Sequence, residues 1–563
     1  MPLRNSDSQT KELKEKLVEE ALRAEERGAR LLADRTGNEY ANLSIISPQT
    51  QALELITEDE ARSAFCAPFT LKQKALSFAC KDPELATTKV VMEKLKAQGY
   101  QLKVYVVSSE SLKYVWQDYG LIDARHKKEI TGKIDVESQQ LADAQKNIKS
   151  IGQVREQISL FNKPYASQIL EIILAGALAL DASDVHVEAE EGVGRLRYRI
   201  DGALQDIADL PLNYYRSILS RIKLLGGMKI NIHSTAQDGR FTIKAAEVAI
   251  EIRVSIIPSA YGETVVMRIL NPKTIQSNLE DLGFREDDLA IIDEQIKRPN
   301  GIILNTGPTG SGKTTTLYAF LRKIYDPEMK IITIEDPIEY HLDGVTQTQV
   351  NVGKDYTFAN GLRSILRQDP DVILVGEIRD NETAGIAMHA ALTGHLVFST
   401  LHTNEAAGTI PRLLDMGVQP AILAPALNLA IAQRLVRKLC VACRKKAKLT
   451  PKEAENARKI VSQLPSRVKK PELSQEIEVF EAGSGCDKCN GTGYKGRIAV
   501  LELLVVDPEI QQIINQPRLP TILQLKEAAV KKGMLTMEGD AVLKILAGLT
   551  SIDEAESVLG KII

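Results

Sequence analysis

Residues Gly307, Pro308, Thr309, Gly310, Ser311, Gly312, Lys313 and Thr314 spell GPTGSGKT, and Thr315 follows them. Glycines at this spacing let backbone N–H groups turn inward around phosphate oxygens. Lys313 then meets the β and γ phosphates of a nucleotide, and the Thr314 hydroxyl ligates Mg2+. The motif carries meaning only between a strand and a helix. Both flanks comply: Gly301 to Asn305 (GIILN) is strand-like, and TTLYAFLRKIY from Thr315 has helical character. ATP with Mg2+ is therefore the expected ligand.

Acids and histidines follow at the ends of further apolar runs. Asp371 to Glu377 (DVILVGE) has the unbroken hydrophobic run of a buried parallel strand and ends in Glu377, placed to orient or deprotonate a water. Lys330 to Glu339 (KIITIEDPIE) ends in Glu335, Asp336 and Glu339. Carboxylates there would face the ligand crevice and contact Mg2+ or water, with helix capping an equal alternative for Glu339. His395 and His402 flank the strand-like LVFST. Two of the chain's seven histidines beside a nucleotide-binding strand predict γ-phosphate sensing.

Four of the six cysteines form two pairs, Cys440-x-x-Cys443 and Cys486-x-x-Cys489. Four thiolates complete a tetrahedral shell and leave no open position, so one structural Zn2+ is expected, with metal-free thiols the alternative. Cys66 and Cys80 suggest only core packing.

The elements positioning these groups are readable along the chain. Residues 1–39 form a charged helical extension, taken as a solvated face. Residues 40–121 form a small α+β domain with strands at LSFAC and LKVYVVS, and Asp82-Pro83 opening a helix. Residues 122–163 are poor in bulky apolar residues and read as a flexible linker. Alternation in VGRLRYRI, EVAIEIRVSII and ETVVMRIL marks a sheet with covering helices over 164–271. Residues 272–300 are an interdomain linker, and 301–563 the motif-bearing domain, with the tetracysteine insertion at 440–489 and a helical C-terminus.

The 563 residues predict several domains. With 71 Lys+Arg against 74 Asp+Glu and 5% aromatics, a nucleic-acid translocase lacks both its positive field and its stacking platform, and no nucleic-acid partner is expected. The uncharged run Met416 to Gln433 contains prolines, Asn428 and two glutamines, so it reads as a buried helix and not a membrane span. The N-terminus offers no apolar leader, which predicts a cytosolic chain.

In their order, GPTGSGKT, ITIEDPIEY, LRSILRQDPDVILVGEIRD and TGHLVFSTLHTN resemble the secretion ATPase superfamily. The likeness is close over residues 165 to 560, including DASDVHVE, RYRIDG, AQDGRF, IRVSIIP and GETVVMRIL, and loose over 40 to 120. It implies an α/β, multidomain architecture: a RecA-like P-loop ATPase core, a preceding α+β domain with a PAS-like sheet plus helices, and a small N-terminal α+β domain. It implies an Asp box from Thr333 to Glu339, a Walker B acid at Glu377 and a His box at His395 and His402. Arginines supplied to the nucleotide fall on Arg253 and Arg268, with Arg240 beside them. Arg363, Arg367 and Arg379 match positions tied to subunit contacts or turnover. The resemblance further implies a homo-hexamer at the cytoplasmic face of the inner membrane, peripheral to it, driving a platform protein that adds or extracts pilin-like subunits. Paired CxxC motifs and an extra N-terminal domain point to the assembly or type II secretion branch. A cyclic-dinucleotide domain is not recognisable.

Overall fold

In the computed structural model, the period-two alternation ahead of the glycine loop builds a six-stranded antiparallel sheet. Its strands are β5 (Ala182–Ala189), β6 (Val193–Ile200), β7 (Ala203–Pro211), β8 (Gln237–Ala245), β9 (Val248–Ser259) and β10 (Gly262–Leu270), in spatial order β7-β6-β5-β10-β9-β8. The described residues are 24–43, 48–53, 55–72, 74–116, 119, 148–159, 166–245, 248–271 and 279–563. Val185, Val187, Leu196, Tyr198, Ile252, Val254, Val265 and Met267 are buried. They share one face, which is covered by helices Ala166–Ala179 and Leu212–Leu225. Burial contributes roughly 1.5–3 kcal/mol for each large side chain, and the buried Tyr198 hydroxyl donates to Ile173 O at 2.6 Å. The opposite face carries Arg195, Arg197, Arg199, Asp184, Arg268, Arg253 and Arg240, because successive side chains alternate.

The motif-bearing domain is built on a seven-stranded sheet. Its strands are β11 (Gly301–Thr306), β12 (Ile331–Glu335), β13 (Thr346–Gln349), β14 (Val372–Val375), β15 (Leu396–Leu401), β16 (Leu427–Leu439) and β19 (Tyr494–Val505), in the order β13-β12-β14-β15-β11-β16-β19. All neighbours are parallel except β16 and β19. Strands β11, β12, β14 and β15 are buried throughout, as their unbroken apolar runs require. Between β16 and β19 lies an insertion with the ribbon β17 (Lys445–Lys448) and β18 (Glu478–Glu481) and helix Pro451–Ser462, whose start is fixed by a Thr450/Glu453 capping box. Four helices from Pro508 to Leu559 close the chain.

The other unit, residues 1–134, holds β1 (Glu39–Tyr40), β2 (Cys66–Lys72), β3 (Ala75–Cys80) and β4 (Gln101–Val106) in the order β1-β4-β3-β2. Cys66 and Cys80 face each other across β2 and β3 in its core, beside Trp116, whose indole N–H donates to Cys66 O at 3.0 Å.

Five sequence expectations are corrected. The helix at residues 24–36 is not a free solvated face: Ala29 and Ala33 are buried against Val106, Glu25 accepts from Ser109 N at 2.9 Å, and Glu26 accepts from Ser108 Oγ at 2.6 Å. Within the supposed linker 122–163, residues 120–147 and 160–165 lie outside the described residues, but Ile151–Ser159 is a helix with Val154 buried. In 272–300, residues 272–278 lie outside the described residues, while helix Glu286–Ile296 belongs to the core through Ile292 and Ile296, its three acids in the first turn favoured by the helix dipole. Met416 to Gln433 is not one helix: Pro420–Ala426 is helical and β16 begins at Leu427. An uncharged apolar run has the same pattern as helix or strand. Asp82-Pro83 likewise forms a turn, with Asp82 Oδ1 accepting from Glu84 N, and the helix starts later, at Ala86. No helix among the described residues is long and apolar enough to cross a membrane.

Candidate active site and metal centre

The glycine loop follows β11 at the C-terminal edge of the parallel sheet. Gly307, Gly310 and Gly312 have φ of 153°, 80° and 87°, in the region where a side chain is strained. A Cβ on Gly307 would also stand 2.5 Å from Gln433 O, so the loop closes only without one. Helix Lys313–Ile324 starts at Gly312 with no side-chain cap, which leaves its first N–H groups for a phosphate. Lys313 Nζ donates to Gly307 O at 2.7 Å and Pro308 O at 3.1 Å, its own loop's carbonyls. Burial lowers its pKa, Glu377 opposes that shift, and Arg434 adds to it. Pro308, Thr309, Gly310 and Thr314 are exposed around the loop.

Glu377 follows β14 and His402 follows β15, so adjacent parallel strands bring them to the same edge. Glu377 is paired with Arg379 at 2.5 Å and stands 3.3 Å from His402 Nε2. Its charge opposes the downward shift that burial imposes on Lys313. Thr306, the last residue of β11, accepts at its hydroxyl from Thr403 N at 2.7 Å, tying the histidine loop to the glycine loop.

Three sequence expectations change. Glu335 does not face a water. It is 3% exposed and accepts from Thr333 Oγ1 at 2.6 Å, from Gln347 Nε2 at 3.1 Å and from the Tyr318 hydroxyl. These donors make it a bracket holding β12, β13 and helix Lys313–Ile324 together. His395 does not reach the loop. It precedes β15, its backbone O accepts from Gly301 N, and Nδ1 lies 3.0 Å from Ala390 O. Seven residues of strand at about 3.3 Å each put it roughly 20 Å from His402, at the opposite edge. Glu339 caps no helix and instead pairs with Arg253 at 3.1 Å. Asp336 is exposed beside it and lies in the field of Arg379.

The arginines form a lateral row. In register, Arg240 faces Arg253, Arg253 faces Arg268, Arg268 faces Asp184 and Asp184 faces Arg199, across β8, β9, β10, β5 and β6. Asp184, 4% exposed, accepts from Arg268 Nε at 2.9 Å and pairs with Arg199 at 3.4 Å. Arg253 reaches the motif-bearing domain, donating to Glu339 and to Ile338 O. Arg363 and Arg367 stay apart from this group. Arg363 pairs with Glu382 at 2.5 Å, and Arg367 donates to Arg363 O at 2.9 Å.

Sequence reading missed Gln433 and Arg434. Gln433 Oε1 accepts from Asn305 Nδ2 and from Thr316 Oγ1, both at 2.9 Å, bracing the strand before the loop and the helix after it. A polar pair closing an apolar run is the one signal that could have found them.

Cys440, Cys443, Cys486 and Cys489 come together with all four Sγ within 4.8 Å of one another. Cys440 to Cys486, Cys443 to Cys489 and Cys486 to Cys489 are each 3.8 Å. Four sulfurs at ~2.3 Å from a tetrahedral zinc stand about 3.8 Å apart, so the donor set fits that ion. Burial works against the Cys489 thiolate, yet the N–H groups of Cys486 and Gly493, aided by neighbouring thiols, pull its pKa down to about 6.

The family described as type II/IV secretion system protein matches residues 162–557. The chain is 37% identical over 547 residues to the type IV pilus assembly ATPase PilB of Thermus thermophilus, covering 96% of this chain and 58% of that protein. It therefore spans little more than half of that relative's length. It is 44% identical over 387 residues to type II secretion system protein E of Aeromonas hydrophila, covering 69% of this chain and 74% of that protein. Among solved structures it resembles the ATPase DotB of Legionella pneumophila, with a TM-score of 0.52 and 23% identity over 69% of this chain and 95% of that one. This last likeness speaks for the fold alone.

Proposed function

The chain belongs to the type II/IV secretion system protein family and is an ATPase with a RecA-like core; from that premise we propose that it is a homo-hexameric motor coupling ATP hydrolysis to polymerisation of pilin or pseudopilin subunits. It works through an inner-membrane platform protein, bound peripherally at the cytoplasmic face. The observation that carries the reading is Glu377 held between Arg379 and His402 beside the glycine loop. An alignment to a pilus assembly ATPase over 96% of the chain supports the assembly direction, as do the paired cysteines.

In this reading the loop N–H groups and Lys313 hold the β and γ phosphates. Thr314 and Asp336 would hold Mg2+, which would supply charge neutralisation. Glu377 accepts the proton of the water that attacks the γ phosphorus, and ADP leaves as the β–γ bridge breaks. His402 fixes the Glu377 carboxylate and faces the charge developing on the γ-phosphoryl group. Arg253 and Arg268, with Arg240 beside them, close over the phosphates from the six-stranded sheet. Asp184 orients Arg268. One Zn2+ on the four cysteines staples the insertion and takes no part in the chemistry.

The test is turnover against protein concentration, with the mass of the nucleotide-bound species measured in parallel. Specific activity rising steeply as a six-chain species appears supports the motor. Constant activity from a single chain overturns it.

A further inference from the structure

Where β11 ends at Thr306 the glycine loop turns away, but β16 continues past it. Its next residues, Gln433 and Arg434, form the floor of the loop. Arg434 is 9% exposed. Its Nη1 donates to Gln433 O at 3.1 Å, and its Nη2 donates to Asn404 O at 3.0 Å and to Asn404 Oδ1 at 3.1 Å. Every acceptor is neutral. Among the described residues Arg434 has no carboxylate partner, in contrast with the part-buried Arg285, which meets Asp287, Asp288 and Asp540.

A buried cation without a counter-charge is costly, and natural chains retain one where an anion arrives. Its surroundings point to where that anion binds. A Cβ on Gly307 would lie 3.1 Å from Arg434 Nη1 and 2.7 Å from Ser311 Oγ, so guanidinium and hydroxyl both abut the first glycine of the loop. The Ser311 hydroxyl is itself buried without a hydrogen-bond partner. Arg434 also repels Lys313, a conflict that phosphate charge between them relieves. Through Asn404 it grips the segment that begins at His402.

We propose that Arg434 is a positioning residue for the nucleotide's phosphates: its buried, uncompensated charge draws a nucleoside di- or triphosphate into the glycine loop, and its bonds to Asn404 set the His402 segment against that loop. The proposal rests on the ATPase reading above. It concerns a group outside the glycine loop, the acids and the histidines.

The experiment measures ADP affinity by calorimetry for the wild type, Arg434→Gln, Arg434→Lys and Lys313→Ala, with unfolding temperature recorded with and without ADP. Hydrogen bonds to charged groups are the stronger kind, so Arg434→Gln should weaken ADP about tenfold or more and shrink the ADP-induced rise in unfolding temperature. Arg434→Lys, which keeps the charge, should recover most of the affinity. ADP affinity of Arg434→Gln within about twofold of wild type overturns the proposal. So does a Lys variant as weak as the Gln variant, since that outcome assigns Arg434 to scaffolding alone. If Arg434→Gln does not fold, the Lys variant decides: affinity within about threefold of wild type supports the charge role, and a tenfold loss overturns it. Wild-type protein that binds no ADP would instead sink the ATPase reading.

Discussion

His402 Nε2 stands 3.3 Å from Glu377 Oε2 although 25 residues separate them in sequence. Parallel pairing of β14 with β15 ends both strands at one edge and brings the two side chains together. His395, which precedes β15, lies at the other edge. The two histidines should therefore separate cleanly. His402→Ala is expected to lower kcat about tenfold to a hundredfold with ATP affinity nearly unchanged, the scale of a misplaced acid–base group. His395→Ala should stay within about twofold of wild type. Steady-state kinetics on both variants checks this, and equal losses would argue against the placement.

Arg253 reaches Glu339 of its own chain. That contact predicts that Arg253 serves the nucleotide held by its own subunit. Arg253→Ala should bind ATP yet hydrolyse it roughly a thousandfold more slowly, the scale of an arginine finger. A mixture of Arg253→Ala and Glu377→Gln chains should recover no activity, since each site still lacks one group. Clear recovery would show that the arginine crosses between subunits.

The four-cysteine cluster is expected to carry about one zinc per chain. Metal analysis of the purified protein checks the content. Cys489→Ser should lower it and cost several kcal/mol of stability in the insertion, because metal-site free energy is folding free energy. Zinc far below one per chain would contradict this reading.

Asp288 offers a pH test within the core. Its Oδ1 accepts from Arg285 at 2.7 Å and lies 3.4 Å from Arg467, while Oδ2 is buried without a partner. Burial raises its pKa; Arg285 and Arg467 oppose, Asp540 and Asp287 reinforce, and the result is about 6. A carboxyl raised in the folded state adds stability at low pH and loses it as pH climbs through that value. Asp288→Asn should therefore gain on the wild type between pH 4 and 7, by at most about 3 kcal/mol. Thermal unfolding across this range checks it, and a pH-independent difference between the two proteins would refute it.

The glycine loop was legible because its strand, turn and helix are contiguous, and Glu377 because an acid ends an unmistakable apolar run. The four cysteines were legible as spaced pairs. What escaped depends on distance or register. Gln433 meets Asn305 across 128 residues, which no local pattern encodes. His395 escapes because flanking a strand suggests nearness, when a strand separates its ends. Glu286, Asp287 and Asp288 ahead of an amphipathic run were a readable helix start, overlooked inside what was taken for a linker. The buried donors around Glu335 come from β13 and helix Lys313–Ile324, so its bracing role appears only after folding.

The most direct measurement is single-turnover hydrolysis by Glu377→Gln alongside its ATP affinity. ATP binding should stay close to wild type with hydrolysis reduced roughly a hundredfold or more, since glutamine keeps shape and hydrogen bonding but cannot accept the proton. Hydrolysis near the wild-type rate in that variant would contradict the assignment of Glu377 as the base.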